Sequence, residues 1–372
     1  MEIRIMAAKE MFAEPTFLEC GFGELEHKVI GQGTCCLCGN CLTFCPRIGV
    51  RNHKPTLLEY DPLCGLCYAY CPRTFFDMPK FEEKIFGRSR TADEALGIYR
   101  TVSAARATPI RGQVQDGGVV TALLIHALES GQIDCAVVTD RNSRWQTSPK
   151  VATTPEEIVA AAGTKYTITP SIAGIQMAME QGFTKIGFTG TPCQIQALRK
   201  AQLLEEPYRF GQEKIALLIG LFCMENFDYQ KLMSGLVKEK FGLQPNDVTR
   251  FEIQKGMFRA VTPGGVKEVP LDETDPFTWP GCGPCFDFSA ELADVSVGSV
   301  GSPAGWSTVL VRTKEGEALY SSAISSGKIE SQPVTEKALA LVRKLAGNKV
   351  ARFESNAERL RSSGVKFDVV RI

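Results

Sequence analysis

Four of the five cysteines in the stretch TCCLCGNCLTFCPR stand as Cys35-x2-Cys38-x2-Cys41-x3-Cys45-Pro46. This is the bacterial ferredoxin spacing, in which three thiolates grip one [4Fe–4S] cube and the fourth reaches a neighbouring cube. Short loops bring three sulfurs to one face of a cube, and the proline ends the loop. A shift of 26 residues lays a second copy over the first, carrying Cys38 to Cys64, Cys41 to Cys67, Cys45 to Cys71, Pro46 to Pro72 and Arg47 to Arg73. The same shift carries Cys35 to Asp61, so a carboxylate stands where the repeat has a thiolate. Cross-ligation then gives one cluster on Cys35, Cys38, Cys41 and Cys71. A second takes Cys45, Cys64 and Cys67, with Asp61 at the fourth corner. Carboxylate oxygen is a harder donor than thiolate. Three arrangements stay open: Asp61 ligates, another thiol such as Cys20 or Cys36 takes the corner, or the second cluster holds three irons. The bland alternative is that Asp61 caps the turn before Pro62. Zinc fits less well, because none of the three histidines, His27, His53 and His126, stands in a cysteine motif.

A further set lies downstream. Cys282 and Cys285 form GCGPC, while Cys193 and Cys223 close TGTPC and IGLFC. The latter two each follow an apolar run that reads as a strand, at the edge where open α/β sheets place their sites. Four such thiolates could close around a third cube. A zinc ion, a nucleophilic Cys193 acidified at a helix start, and four unrelated core cysteines are the competing readings. Cys20, Cys36 and Cys135 are left over.

The elements that position these residues belong to a chain of 372 residues, long enough for two or three domains. Lysine plus arginine equals aspartate plus glutamate at 42 each, which gives no pull towards nucleic acid or an anionic membrane. The apolar run IALLIGLFCM is too short to span a bilayer, and the N-terminus carries no signal-peptide pattern. A cytoplasmic setting follows, where clustered thiols mean metal rather than disulfides. The divisions expected are 1–80, a two-cluster ferredoxin-like domain; 81–115, a charged linker or docking segment; 116–330, an α/β body; and 331–372, a helical tail. Within the body, GGVVTALLIHALESG reads as a Gly-Gly turn opening a helix, and TPEEIVAAAG as a Thr-capped helix. KIGFTG reads as a strand leading into a helix with Pro192 near its first position, and MFRAVTPGGVKEVP as a hairpin. The turns at Gly117–Thr121 and Thr189–Pro192 could cradle a phosphate, since helix N-termini favour anions. Neither is a Rossmann or P-loop pattern.

Taken together, QDGGVVTALL, AAGTKYT, TGTPCQIQALRK, IGLFCMENF and GCGPCFDFSAELADVSVGSVGSPAGWSTV resemble the family of coenzyme F420 hydrogenase/dehydrogenase beta subunits. With the cysteine repeat in front, the likeness extends to its F420H2 dehydrogenase electron-input members. The resemblance covers nearly the whole chain. It implies an α+β architecture: a 2[4Fe–4S] ferredoxin domain followed by a mixed α/β flavin-binding domain. It implies a flavoprotein that exchanges hydride between coenzyme F420 and FAD and passes single electrons through [4Fe–4S] clusters. The third cluster falls on Cys193, Cys223, Cys282 and Cys285. FAD contacts fall on Gly117, Gly118, Val119, Thr121, Lys165, Tyr166, Thr191, Pro192, Gln194, Glu225 and Asn226, with no catalytic side chain, because the flavin does the chemistry. The partner would be a redox subunit of a larger complex: a membrane dehydrogenase, hydrogenase, formate dehydrogenase or reductase. Any membrane would be reached only through such subunits. The alternatives are a ferredoxin-dependent reductase of the chlorophyll-pathway type and a flavin-free electron relay. Asp61 is the departure from the family pattern.

Overall fold

A computed structural model describes the chain apart from residues 1–20, 53, 60–64, 109–113, 205–210, 366 and 372. Cys20, Asp61 and Cys64 therefore lie outside the described residues. The body is an eight-stranded mixed sheet. Its centre is four parallel strands, in spatial order Val295–Gly298, Ile215–Leu221, Ile186–Gly190 and Cys135–Arg141. Strands covered on both faces need side chains that are apolar in every direction, and IALLIGL and IGFTG supply them. Antiparallel strands complete each side: Thr147–Ala152 beyond Cys135–Arg141, and Ser307–Val311, Thr101–Ala107 and Ile329–Gln332 beyond Val295–Gly298.

One face of the sheet carries helices Val119–Glu129 and Lys314–Ser325. The other carries Pro192–Leu203, and over it lies the cysteine-rich N-terminal segment. Tyr70, Phe76 and Phe81 of that segment share one core with Phe188, Ile195 and Phe286 of the body and with Phe353 and Phe367 near the C-terminus. A separate three-stranded antiparallel sheet, Arg250–Gln254, Met257–Thr262 and Gly265–Pro270, contains the expected hairpin and packs over Trp145 and Phe227.

Two boundaries differ from the sequence reading. Residues 81–115 are no linker: they hold the end of helix Met78–Phe86 and the strand Thr101–Ala107, which is interior to the main sheet. Charge in this stretch reads as solvated, yet Arg90 is buried between Glu82 and Glu291, 2.5 Å from each. The C-terminal segment is not wholly helical. After the helix Glu336–Ser362 the chain ends in a strand, Asp368–Val370, parallel to Phe75–Asp77 of the N-terminal segment. Among the described residues no helix is long and apolar enough to cross a membrane.

Candidate functional site

The sequence repeat is visible as structure. The short helix Asn40–Thr43 and its shifted mate Leu66–Tyr70 pack together. Buried Asn40 donates through its Nδ2 to Tyr70 O and Ala197 O, both at 2.9 Å, which pins both copies to the body. The thiols of Cys35, Cys38, Cys41 and Cys71 lie in one another's fields. Burial first, and then Cys71, push the Cys35 thiol up to about 12. Backbone N–H groups already point at two of these sulfurs: Leu37 at Cys35 and Arg73 at Cys71, each at 3.4 Å. Cys45 and Cys67 are buried nearby, while their expected companions fall outside the described residues.

The second set is built from strand ends. Gly190 and Gly220 are neighbours on parallel strands, and Cys193 and Cys223 follow at the same edge. Asn226 N donates to Cys282 Sγ at 3.4 Å, Asn226 Nδ2 to Cys223 Sγ at 3.6 Å, and Thr191 Oγ1 lies 3.3 Å from Cys193 Sγ. The fields of Cys193, Cys223, Cys282 and Cys285 overlap. The helix start does not acidify Cys193; the Cys36 thiol beside it and burial raise it instead. Cys285 goes the other way: burial would raise it, but Lys349 and Arg73 outweigh burial and lower it. Lys349 comes from the C-terminal helix, is 2% exposed, and donates to Cys223 O.

The two sets touch. Trp279 Nε1 donates to Cys35 O at 2.6 Å, and a methyl group added to Gly281 would meet that same oxygen at 2.1 Å. Cys36 interacts with Cys38 on one side and Cys193 on the other. Among the described residues no group of three or more histidine, cysteine or acidic side chains converges on a single metal ion. A cube makes a different demand, because its ligands bind four separate irons. Buried thiols in each other's fields, backbone donors aimed at sulfur and two buried cations fit such a group.

The residues expected to hold a flavin divide. Lys165 lines an open cleft of about 760 Å³ together with Gln115, Arg141, Trp145 and Arg250. Its ammonium donates to Ala161 O and Ala162 O, and burial lowers its pKa to about 8. Arg141 stacks over the Trp145 ring at 3.8 Å. Tyr166 packs edge-on against Phe258. Gly117 is required by a close approach: an added methyl would meet Ala105 O at 2.5 Å. Its N–H goes to Ser307 Oγ, and that of Gly118 to Gln115 O. The first intrahelical bond runs from Ala122 N to Gly118 O. The amides offered at this helix start are therefore those of Val119, Val120 and Thr121.

Other members of the set have inward roles. Gln194 Oε1 accepts from Thr191 N and its Nε2 donates to Thr169 O, both at 2.9 Å, behind the buried Pro192. Glu225 pairs with Arg352 at 2.5 Å, and Asn226 belongs to the thiols. Sequence reasoning missed Arg141, Trp145 and Arg250 at the cleft and Lys349 at the sulfurs, which no local pattern marks, and it registered Arg73 only as part of the repeat.

Comparison with known proteins bears on the body above all. Residues 101–176 match the N-term family model for the coenzyme F420 hydrogenase/dehydrogenase beta subunit, and residues 183–337 match the model for its C terminus. The beta subunit of the coenzyme F420 hydrogenase of Methanosarcina barkeri is 44% identical over 280 residues, covering 73% of this chain and 96% of that protein. A coenzyme F420-dependent sulfite reductase of Methanocaldococcus jannaschii is 33% identical over 91% of this chain, which takes in much of the N-terminal segment, and 52% of its own length. One subunit of the F(420)H(2) dehydrogenase of Methanosarcina mazei is 36% identical over 62% of this chain and 64% of its own. A chain in the structure of the F420-reducing [NiFe] hydrogenase complex from Methanosarcina barkeri superposes with a TM-score of 0.71 at 41% identity, covering 76% of this chain and 99% of that one. The chain belongs to the family of coenzyme F420 hydrogenase/dehydrogenase beta subunits.

Proposed function

We propose that the chain is a reversible, F420H2-oxidising electron-input subunit, which exchanges hydride between coenzyme F420 and FAD and delivers single electrons through [4Fe–4S] clusters to a partner complex. The observation that carries this reading is the contact between the two thiol sets, Cys35 against the Gly281 loop, in a body that also holds a cationic cleft. When bound, a flavin supplies the exchange between a two-electron hydride and single electrons, and a cube takes one electron at a time. The chain's own work is to bind and orient. Arg141 and Lys165, with Arg250 paired to Glu252, outweigh Glu156 on the lining and give the cleft net positive charge for an anionic ligand, and Trp145 holds the Arg141 guanidinium in place by stacking. The first-turn amides of Val119–Glu129 suit a phosphate. Cys193, Cys223, Cys282 and Cys285 would hold the body cluster, with Asn226 donating to two of the sulfurs. Cys35, Cys38, Cys41 and Cys71 would hold the next cluster. Cys45, Cys64 and Cys67, with Asp61, would hold the outermost. The partner would be another subunit of a redox complex, a reading supported by the relative that is one chain of the F420-reducing [NiFe] hydrogenase complex.

Anaerobically purified protein tests this reading. It should contain FAD and iron for three clusters, and F420H2 should bleach the flavin before cluster EPR signals grow. Protein with clusters whose flavin F420H2 leaves oxidised would overturn the hydride step.

A further inference from the structure

Arg73 and its counterpart in the repeat have opposite surroundings. Its mate Arg47 sits at the surface, its side chain 37% exposed and 3.9 Å from Glu59. Arg73 is 2% exposed, no oxygen or nitrogen acceptor among the described residues meets its Nε, Nη1 or Nη2, and the side chain its guanidinium is directed at is the Cys285 thiol. No carboxylate among them forms an ion pair with it. A guanidinium cannot shed its proton to escape such burial, and a buried charge without compensation is strongly destabilising. The groups whose fields favour its charge most are Cys285, Cys36 and Cys193. It also acts on Cys35 and Cys71, so its influence spans both thiol sets. The neighbouring buried cations are one-sided: Lys200 donates to Cys71 O at 2.7 Å, and Lys349 to Cys223 O.

We propose that Arg73 is a positioning residue shared by two clusters, its guanidinium fork donating N–H···S hydrogen bonds to the cluster held by Cys193 and Cys285 while its fixed charge also acts on the cluster held by Cys35 and Cys71. The inference rests on the proposed function, which puts cubes on these thiols. Each transfer oxidises one cluster by one electron and reduces the other by one, and the guanidinium keeps its proton throughout. A reduced cluster carries one more negative charge, so a nearby fixed cation favours reduction, and hydrogen bonds to sulfur act in the same direction. Holding one cation between both clusters raises both potentials together and keeps the step between them shallow.

The test is EPR-monitored redox titration of anaerobically purified full-length protein: wild type, Arg73→Met and Arg73→Lys. Arg73→Met should retain wild-type iron while the midpoint potentials of two clusters move downward, and Arg73→Lys should hold them closer to wild type. Full iron with unmoved potentials in Arg73→Met overturns the inference and leaves the proposed function standing. Wild type without iron overturns both. Should Arg73→Met fail to fold or to take up iron, wild type grown with guanidino-15N arginine decides. The nitrogen coupling in the pulsed EPR of a reduced cluster should change with the label, and an unchanged coupling overturns the inference.

Discussion

At the scale of single residues, Lys165 makes the sharpest claim. Burial disfavours its charged form and brings its pKa to about 8. Two of its three N–H donors go to the carbonyls that end the Pro155–Ala160 helix, leaving the third for the cleft. Below about pH 8 the folded protein holds an ammonium there; above it the group is neutral and loses its pull on an anion. FAD affinity should therefore weaken as pH rises through about 8, and equilibrium dialysis of apoprotein should show it. Lys165→Met should abolish that step and weaken binding below pH 8 by about ten- to a hundredfold, the worth of one charge-assisted hydrogen bond. An unchanged pH profile in the variant would take Lys165 out of the site. The sign for stability is opposite. The unfolded chain binds the extra proton between about pH 8 and the ordinary lysine value, so the penalty for this buried charge is present below pH 8 and fades as pH rises. The grouping of Cys35, Cys38 and Cys41 and of Cys282 and Cys285 was legible because those thiols stand three residues apart along the chain. The cations beside them were not: Arg73 and Lys349 carry no sign of burial in the sequence and meet the sulfurs only when distant segments close over them.

At the scale of elements, the strands and capped helices followed from local chemistry. Ile215–Leu221 is a run of apolar residues, and Thr154 Oγ1 accepts from Glu157 N at 3.3 Å as the Thr-Pro-Glu-Glu pattern implies. The strand Thr101–Ala107 escaped because TVSAARA has little alternation, and its partners lie some two hundred residues away in sequence. The same non-locality hides the joint between the thiol loops. Only a residue without a Cβ lets the Pro280–Cys282 turn close on Cys35 O. Gly281→Ala should force these loops apart, at about 1–3 kcal/mol for overpacking a fitted contact. The variant should melt several degrees lower and fill the outer clusters more slowly after the flavin is reduced, as rapid-freeze EPR would record. Wild-type filling rates in a folded Gly281→Ala protein would show that electrons do not cross at this joint.

For the whole molecule, the question is whether the first ninety residues are an appendage or part of the fold. Relatives such as the beta subunit of the hydrogenase match 73% of this chain with 96% of their own length, so the body has a counterpart with little in front of it. In this chain the boundary has been filled in. Tyr70, Phe76 and Phe81 are buried against Phe188, Ile195 and Phe286, and Asp368–Val370 pairs with Phe75–Asp77. Arg90 is sealed between Glu82 and Glu291. Removing residues 1–87 would strip the last strand of its partner, leave Arg90 with one carboxylate and expose a contiguous apolar face. An exposed face of that kind associates unless something covers it. The truncated chain should therefore elute as aggregate or oligomer, melt lower than the full chain, and keep iron for one cluster instead of three. A monomer with the full chain's melting temperature would mean that the segment only rests on the body, and that the thiol sets meet without structural commitment. Aggregation relieved by adding back residues 1–87 as a separate polypeptide would identify the covered face as the docking surface itself.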